Sequence, residues 1–285
     1  MRVWVTGCNG QVGHTLLSLL QNKGIDCFGT TRQQADITEE TTVRSFANKA
    51  THIVNAAASA QVDFAETNRE EAYQVNTTGP AILAKIAYEL GIRFLHISTD
   101  YVFDGTIKRA YREEDTPNPL NWYGVTKKEG ELKVLQECPY ACIVRTSWIF
   151  GGRGTKHYVA QVLDLVRQKK ELFFVDDQIG RPTYAFDLAE ALFVLLDASG
   201  IYHYSNQGML SKYAFAQTIW AWAKQNGRPC ICEQIEPIAS STFSAAARRP
   251  LYTPLDTRKI EKLLPIRSWQ DAFAACMHLQ SGFEP

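Results

Sequence analysis

Val3-Trp4-Val5-Thr6-Gly7-Cys8-Asn9-Gly10-Gln11-Val12-Gly13 runs from a short apolar strand through a glycine turn into the start of a helix. Residues 3–6 read as a buried strand. Residues 11–23 read as a helix whose apolar side is Val12, Leu16, Leu17, Leu19 and Leu20. Gly7 permits the tight turn, Gly10 lets the backbone approach a phosphate, and Gly13 lets the helix pack close to the strand. The first amides of that helix, with its dipole, then face a pyrophosphate. The spacing Gly-x-x-Gly-x-x-Gly differs from the Gly-x-Gly-x-x-Gly of many dehydrogenases, and three glycines alone also suit a purely structural turn. The strand–turn–helix setting favours dinucleotide binding, with Gly7, Gly10, Gln11, Val12 and Gly13 as the cradle.

The same alternation continues outward. Strands are expected at residues 26–30, 52–57, 93–97 and 141–145, and helices at 39–49, 70–90 (ended by Gly91) and 123–136. Strands alternating with helices imply right-handed crossovers and a parallel sheet covered on both faces. The expected fold is therefore α/β, a Rossmann-type doubly wound parallel sheet with a smaller C-terminal substrate-binding lobe. Residues 156–168, 186–197 and 211–225 read as helices, the last with Phe215, Ile219 and Trp222 at core spacing. Residues 229–255 read as loop with short strands. We expect a nucleotide-binding domain over 1–150 and a substrate lobe over 151–285, some of whose segments cross back to the sheet.

Composition narrows the partners. With 285 residues, 45% hydrophobic and 21% charged, the chain can bury a sizeable core. Thirty basic residues balance thirty acidic ones, which argues against a nucleic-acid binder but not against a small anion held by a few arginines. The seven cysteines are odd in number, and Cys138-x-x-x-Cys142 and Cys230-x-Cys232 do not match common zinc spacings. They read as reduced thiols in a cytoplasmic protein, with no metal expected. No run of 18 apolar residues is present and the chain opens on a strand, so no membrane span or signal peptide is expected.

The end of the second strand, Gly29-Thr30-Thr31-Arg32, lacks the acid that NAD binders place against the ribose 2′-hydroxyl. Thr30 and Thr31 suit hydrogen bonds to a 2′-phosphate and Arg32 an ion pair with it, so NADPH is the expected cofactor and NADH the alternative. Tyr123 and Lys127 stand at i and i+4 on one helical face. An ammonium there favours phenolate and suits Tyr123 to proton transfer with a carbonyl or hydroxyl oxygen. Thr99, at the end of a strand, suits a second hydrogen bond to the reacting oxygen; Thr99 and Asp100 also suit a cap of the next turn.

These residues sit in longer blocks that carry a resemblance. They are Val5-Thr6-Gly7, Asn55-Ala56-Ala57-Ala58, Val62-Asp63-x-Ala65-Glu66, Ser98-Thr99-Asp100-Tyr101-Val102-Phe103-Asp104-Gly105, Pro119-Leu120-Asn121-x-Tyr123-Gly124, Lys127-x-x-Gly130-Glu131, Arg145-Thr146-Ser147-Trp148, Asp177-Gln178-x-Gly180-x-Pro182-Thr183 and Ala247-x-Arg249-Pro250. Together they resemble the extended short-chain dehydrogenases/reductases, and within them the dTDP-4-dehydrorhamnose reductase family. The resemblance implies reduction of the 4-keto group of dTDP-4-dehydro-6-deoxy-L-mannose to dTDP-L-rhamnose, for cell-surface polysaccharide biosynthesis. It implies Tyr123 as general acid, Lys127 on the nicotinamide ribose, Thr99 polarising the carbonyl, Asp100 against the sugar and Trp148 lining the pocket. It further implies Asp36 and Ile37 near the adenine, and Ala57, Ala58, Ser59 and Ala60 along the cofactor. Arg249, with Arg181 and Arg248, is a candidate for the substrate phosphates. A homodimer is a family-level expectation.

Some positions depart from the family pattern. Ala60 stands where a threonine is frequent, Ser59 replaces a larger residue, Thr30 replaces an acid of some relatives, and His14-Thr15 lacks the acid that some relatives use for magnesium. Two rivals are weighed. Dehydratases of the extended group carry a glutamate after Thr-Asp, where Tyr101 stands here; epimerases are harder to separate. A non-catalytic NADP-binding regulatory subunit, like that of methionine adenosyltransferase, would not need the intact Thr99, Tyr123 and Lys127.

Overall fold

The structure, a computed structural model, describes residues 1–152, 157–242 and 244–281. Its centre is a sheet of six strands: β1 (Arg2–Thr6), β2 (Asp26–Thr30), β3 (His52–Asn55), β4 (Arg93–Thr99), β5 (Cys142–Thr146) and β6 (Gly200–Tyr204). The spatial order is β6-β5-β4-β3-β1-β2, and every neighbouring pair is parallel. The longer helices are α1 (Gln11–Asn22), α2 (Glu40–Ala47), α3 (Gly79–Glu89), α4 (Trp122–Glu137), α5 (Tyr158–Gln168), α6 (Ala185–Val194), α7 (Lys212–Gln225) and α8 (Trp269–Ser281).

Period-two alternation sets the two faces of the sheet. Val3 and Val5 of β1 pack with Leu16 and Leu20 of α1 and with Leu188 and Leu192 of α6. Trp4, between them, faces Val43 of α2, Leu83 of α3 and Val134 of α4. Helices thus cover both faces, as the alternation of elements predicts. β2 lies on one side of β1 and β3 on the other, so the chain reverses direction of travel at β1. Such a reversal opens a crevice at the carboxyl ends of the strands, where ligands bind in doubly wound sheets.

Two local differences from the sequence reading bear on the crevice. The strand expected over 52–57 ends at Asn55, because the next residues leave the sheet to pack on the Gly7 turn. The helix expected over 70–90 is not uniform. It runs as Arg69–Tyr73, a π-helical turn Gln74–Thr78, and α3. The wide turn brings the Asn76 carbonyl against Gly130 of α4, where a Cβ would lie only 2.2 Å away.

After β5 the chain builds a second core from Phe150, Val159, Val162, Val166, Phe215, Ile219 and Phe273. Trp222 packs at its margin, only partly buried. α5 begins at Tyr158, with His157 as its cap; Lys156, the first residue of the helix expected there, lies outside the described residues. Within 229–255, Gln234–Ile238 pairs in parallel with Glu171–Val175. α6 returns to pack on α1, and β6 pairs with β5. All seven cysteines are unpaired. Among the described residues no helix is long and apolar enough to cross a membrane, and no cluster of His, Cys, Asp or Glu could hold a metal ion.

Candidate active site

The glycine turn is shaped by close approach. Gly7 has φ of 63°, and a Cβ there would lie 2.8 Å from the Ala57 backbone, so the turns after β1 and β3 touch. A Cβ on Gly13 would fall 2.4 Å from the Gly7 carbonyl oxygen. Gly13 therefore acts through helix packing and does not line the crevice. Gly7, Gly10, Arg32, Asp36, Ile37, Ala57, Ala58, Ser59 and Ala60 line a cleft of about 390 Å³. Thr30 is not among the residues that line it: the side chain is buried and its Oγ1 accepts a hydrogen bond from Trp4 Nε1 at 2.9 Å. Arg32 does reach it, but already donates to Glu71 at 2.9 Å and to Asp36 at 3.4 Å.

A second cleft of about 530 Å³ shares Gly10, Ala57, Ala58 and Ala60 with the first and adds Gln11, Val12, Thr99, Asp100, Tyr123, Lys127 and Trp148. The start of α4 is fixed at this point. Asn121 Oδ1 accepts from the Gly124 amide at 2.8 Å, and Glu66 Oε1 accepts from the Trp122 amide at 2.7 Å. A Cβ on Gly124 would lie 2.2 Å from the Tyr101 carbonyl oxygen, so glycine lets α4 press against the turn that follows Thr99. Tyr123 meets Tyr101 edge-on at 6.0 Å. Burial pushes the Tyr123 phenol up to about 12, with the Thr99 hydroxyl acting the other way and Asp100 reinforcing the rise. Burial sets the direction, not the lowering expected from Lys127, and Tyr123 holds its proton. Lys127 Nζ donates to the Ile97 carbonyl at 2.7 Å, and burial pulls its ammonium down to about 8.

A third cleft, of about 1030 Å³, joins the second at Tyr158 and Lys212. Its walls include Asp63, Phe173, Phe174, Gln178, Arg248 and Arg249. Arg249 is paired with Asp63 by two bonds of 2.6 and 3.2 Å, and the Ala247 amide donates to the same carboxylate at 3.0 Å. Arg181 is not among the residues lining these clefts; its Nη1 faces Thr257 at 3.5 Å. Trp148 has φ of 46°, a left-handed backbone that a tryptophan adopts only at a cost. Its ring lies between Gly180, where a Cβ would come within 2.5 Å, and the Lys212 ammonium at 3.5 Å.

Asp100 offers a test by pH. Burial pushes its carboxyl up from 3.8 to about 6, against hydrogen bonds from Thr253 and Thr99 and the charge of Lys212. The folded chain holds this proton more tightly than the unfolded chain, so stability is greatest below the unfolded value and falls as pH rises through the folded one. Asp100→Asn should raise the melting temperature at about pH 8 and leave it nearly unchanged at about pH 4. Equal shifts at both pH values in calorimetry would show that the ionised carboxylate carries no penalty.

The family described as the RmlD substrate binding domain matches residues 1–281. A dTDP-4-dehydrorhamnose reductase of Mycobacterium tuberculosis is 35% identical, covering 97% of this chain and 92% of its own. The chain belongs to the dTDP-4-dehydrorhamnose reductase family. A crystal structure of a family member from Clostridium acetobutylicum superposes with a TM-score of 0.92 at 34% identity, covering 99% of this chain and 100% of that one. Another from Bacillus anthracis, solved in complex with NADP, gives 0.90 at 33% identity over 97% and 98%.

Within this dTDP-4-dehydrorhamnose reductase fold, several site residues escaped the sequence reading. Lys212, His157, Tyr158 and Gln161 line the second cleft, yet no motif singles them out. Asn76 lies outside the cleft and ties its walls. Its Oδ1 accepts from the Ser59 amide at 2.9 Å, while its Nδ2 donates to the Ser59 carbonyl and to Thr126 Oγ1, both at 3.1 Å. No signal in the sequence marks Asn76, which stands beside Gln74, Thr77 and Thr78 in a segment that reads only as a helix.

Proposed function

We propose that this chain reduces the 4-keto group of dTDP-4-dehydro-6-deoxy-L-mannose to dTDP-L-rhamnose, with NADPH as the hydride donor. The observation that carries this reading is the meeting of Thr99, Tyr123 and Lys127 in one cleft, between the glycine cradle and the cleft walled by Arg248 and Arg249. The cradle fits a dinucleotide: the Gly7 and Gly13 positions admit no side chain, and the turn leads into the amides of α1. A bound NADPH supplies hydride to carbon 4; the protein's part is orientation and proton delivery. Tyr123, protonated across the working range, gives its proton to the keto oxygen as negative charge builds there, and Thr99, on turning its hydroxyl hydrogen away from Asp100, donates a second hydrogen bond. Asp100 and Trp148 hold the sugar, and Arg249 takes the substrate phosphates in exchange for Asp63. We assign 1–150 to the cofactor lobe and 151–285 to the substrate lobe, and we place the enzyme in the cytoplasm as a homodimer.

Incubation with NADPH and dTDP-4-dehydrorhamnose, followed by identification of the sugar by NMR, should yield dTDP-L-rhamnose. Nucleotide oxidation with the C4 epimer of that product would keep the substrate and move hydride delivery to the other face of the sugar. No consumption would reject the reading.

Cofactor choice rests on Arg32, whose guanidinium is shared by Glu71 and Asp36. Arg32→Ala should lower kcat/KM with NADPH relative to NADH by about tenfold or more, the value of one charge-assisted hydrogen bond. Glu71→Gln, which leaves Arg32 paired with Asp36 alone, should move the ratio the other way. An unchanged ratio in both variants would remove Arg32 from the 2′-phosphate.

A further inference from the structure

Two of the three clefts meet at a lysine that the proposed reaction leaves without a task. Lys212 opens α7, and its main chain is pinned. Its amide donates to the Gln178 carbonyl at 3.3 Å, and its carbonyl accepts from Tyr158 Oη at 2.6 Å. The preceding Ser211 caps the helix, accepting from the Ala214 amide at 3.0 Å and donating to Asp176 at 2.5 Å. The side chain lies over two rings, with Nζ 3.5 Å from the centre of Trp148 and 4.4 Å from that of Tyr158. Tyr158 and Lys212 are the residues common to the catalytic cleft and the large third one. Among the described residues, Lys212 Nζ has no oxygen or nitrogen acceptor and no ion-pair partner.

Nothing in the fold rewards a cation at this place. An ammonium at the first position of a helix stands against the helix dipole, and two aromatic faces offset only part of its lost hydration. Burial accordingly pulls it down to about 7, with Arg249 adding to the fall and Asp100 opposing it. The arginines of the third cleft differ: Arg249 is neutralised by Asp63, and Arg248 stands exposed. A nucleotide sugar with its keto carbon at Tyr123 and its nucleoside in the third cleft crosses between the clefts at Lys212, and the part that crosses is the diphosphate. We propose that Lys212 binds the phosphate next to the sugar, donating from an ammonium held over Trp148 and Tyr158 to the oxygens that pass between the two clefts. This contact presupposes a nucleotide-sugar substrate, as proposed for this chain. The rings keep the ammonium in place without tying its N–H groups to a carboxylate, and an arriving phosphate supplies the acceptors and the charge that it lacks. Arg249 is left for the phosphate nearer the nucleoside.

Lys212→Met keeps the length and the apolar contact with both rings and removes the charge. In calorimetric titrations with NADP⁺ bound, Lys212→Met should weaken dTDP and dTDP-L-rhamnose by the same factor, about tenfold or more, the value of one charge-assisted hydrogen bond. Binding of dTMP, which lacks the second phosphate, should stay close to that of the wild type. Unchanged dTDP binding in the variant would overturn the proposal. So would a loss confined to dTDP-L-rhamnose, which would put the ammonium on the sugar, or a loss as large for dTMP. UDP separates this contact from the choice of substrate. A wild type that binds UDP and not dTDP, with the same loss in Lys212→Met, keeps Lys212 on the diphosphate and overturns the dTDP-sugar reading; one that binds neither overturns both. Should Lys212→Met fail to fold, a crystal structure of the wild type with dTDP decides. The ammonium is expected within hydrogen-bond reach of the terminal phosphate, and an ammonium still without an oxygen partner overturns the assignment.

Discussion

Tyr123→Phe is expected to lower kcat for reduction of the 4-keto sugar by about 10²-fold or more, the usual effect of removing a positioned general acid. The geometry gives the reason for so large a loss. Lys127 Nζ is already bonded to the Ile97 carbonyl and faces His96. Thr99 Oγ1 donates to Asp100 at 3.2 Å and accepts from the Tyr101 amide, also at 3.2 Å. Neither is free to take over as acid. Phenylalanine keeps the edge contact with Tyr101, so the fold and the affinity for NADPH should be preserved, and the loss should appear in kcat under saturating cofactor and substrate. Turnover close to that of the wild type in a stopped assay would remove Tyr123 from the chemistry.

Glu131→Leu is expected to cost about 3–5 kcal/mol of folding stability, the range for stranding one partner of a buried ion pair. Arg145 is 2% exposed and Glu131 3%. Glu131 Oε2 accepts from Arg145 Nη2 at 2.7 Å, and its Oε1 accepts from Arg145 Nε at 3.0 Å and from Ser98 Oγ at 2.5 Å. Without Glu131 the guanidinium, 5.1 Å over the Phe103 ring, has no other ion-pair partner among the described residues. Replacing Glu131 and Arg145 together by leucine and methionine should restore most of the loss, since paired apolar substitution of a buried ion pair is frequently neutral. Urea denaturation at fixed pH checks both. A double variant no better than the single would place the cost in packing of α4 rather than in the unpaired charge.

The parts legible in the sequence were those set by local rules. Alternating apolar strands and amphipathic helices gave the order of elements along the sheet, and the glycine spacing after β1 gave the turn. Tyr123 and Lys127 were legible because helical geometry places i and i+4 on one face. What escaped depends on contacts between distant segments. Thr30 looks available at the end of β2, yet its hydroxyl is taken by Trp4, 26 positions away. Arg249 reads as a free cation, but Asp63 holds it across 186 positions. The helical periodicity of 70–90 hid the π-helical turn, since one extra residue per turn hardly disturbs an apolar pattern.

Asn76 carries a consequence for how this enzyme can change over generations. Its one carboxamide bonds both the Ser59 segment and Thr126 of α4. A mutation there would disturb the Ser59 segment, which lines the first cleft, and the helix bearing Tyr123 in a single stroke. Selection acting on the Ser59 segment would therefore carry the helix of Tyr123 with it, because one side chain ties the two together.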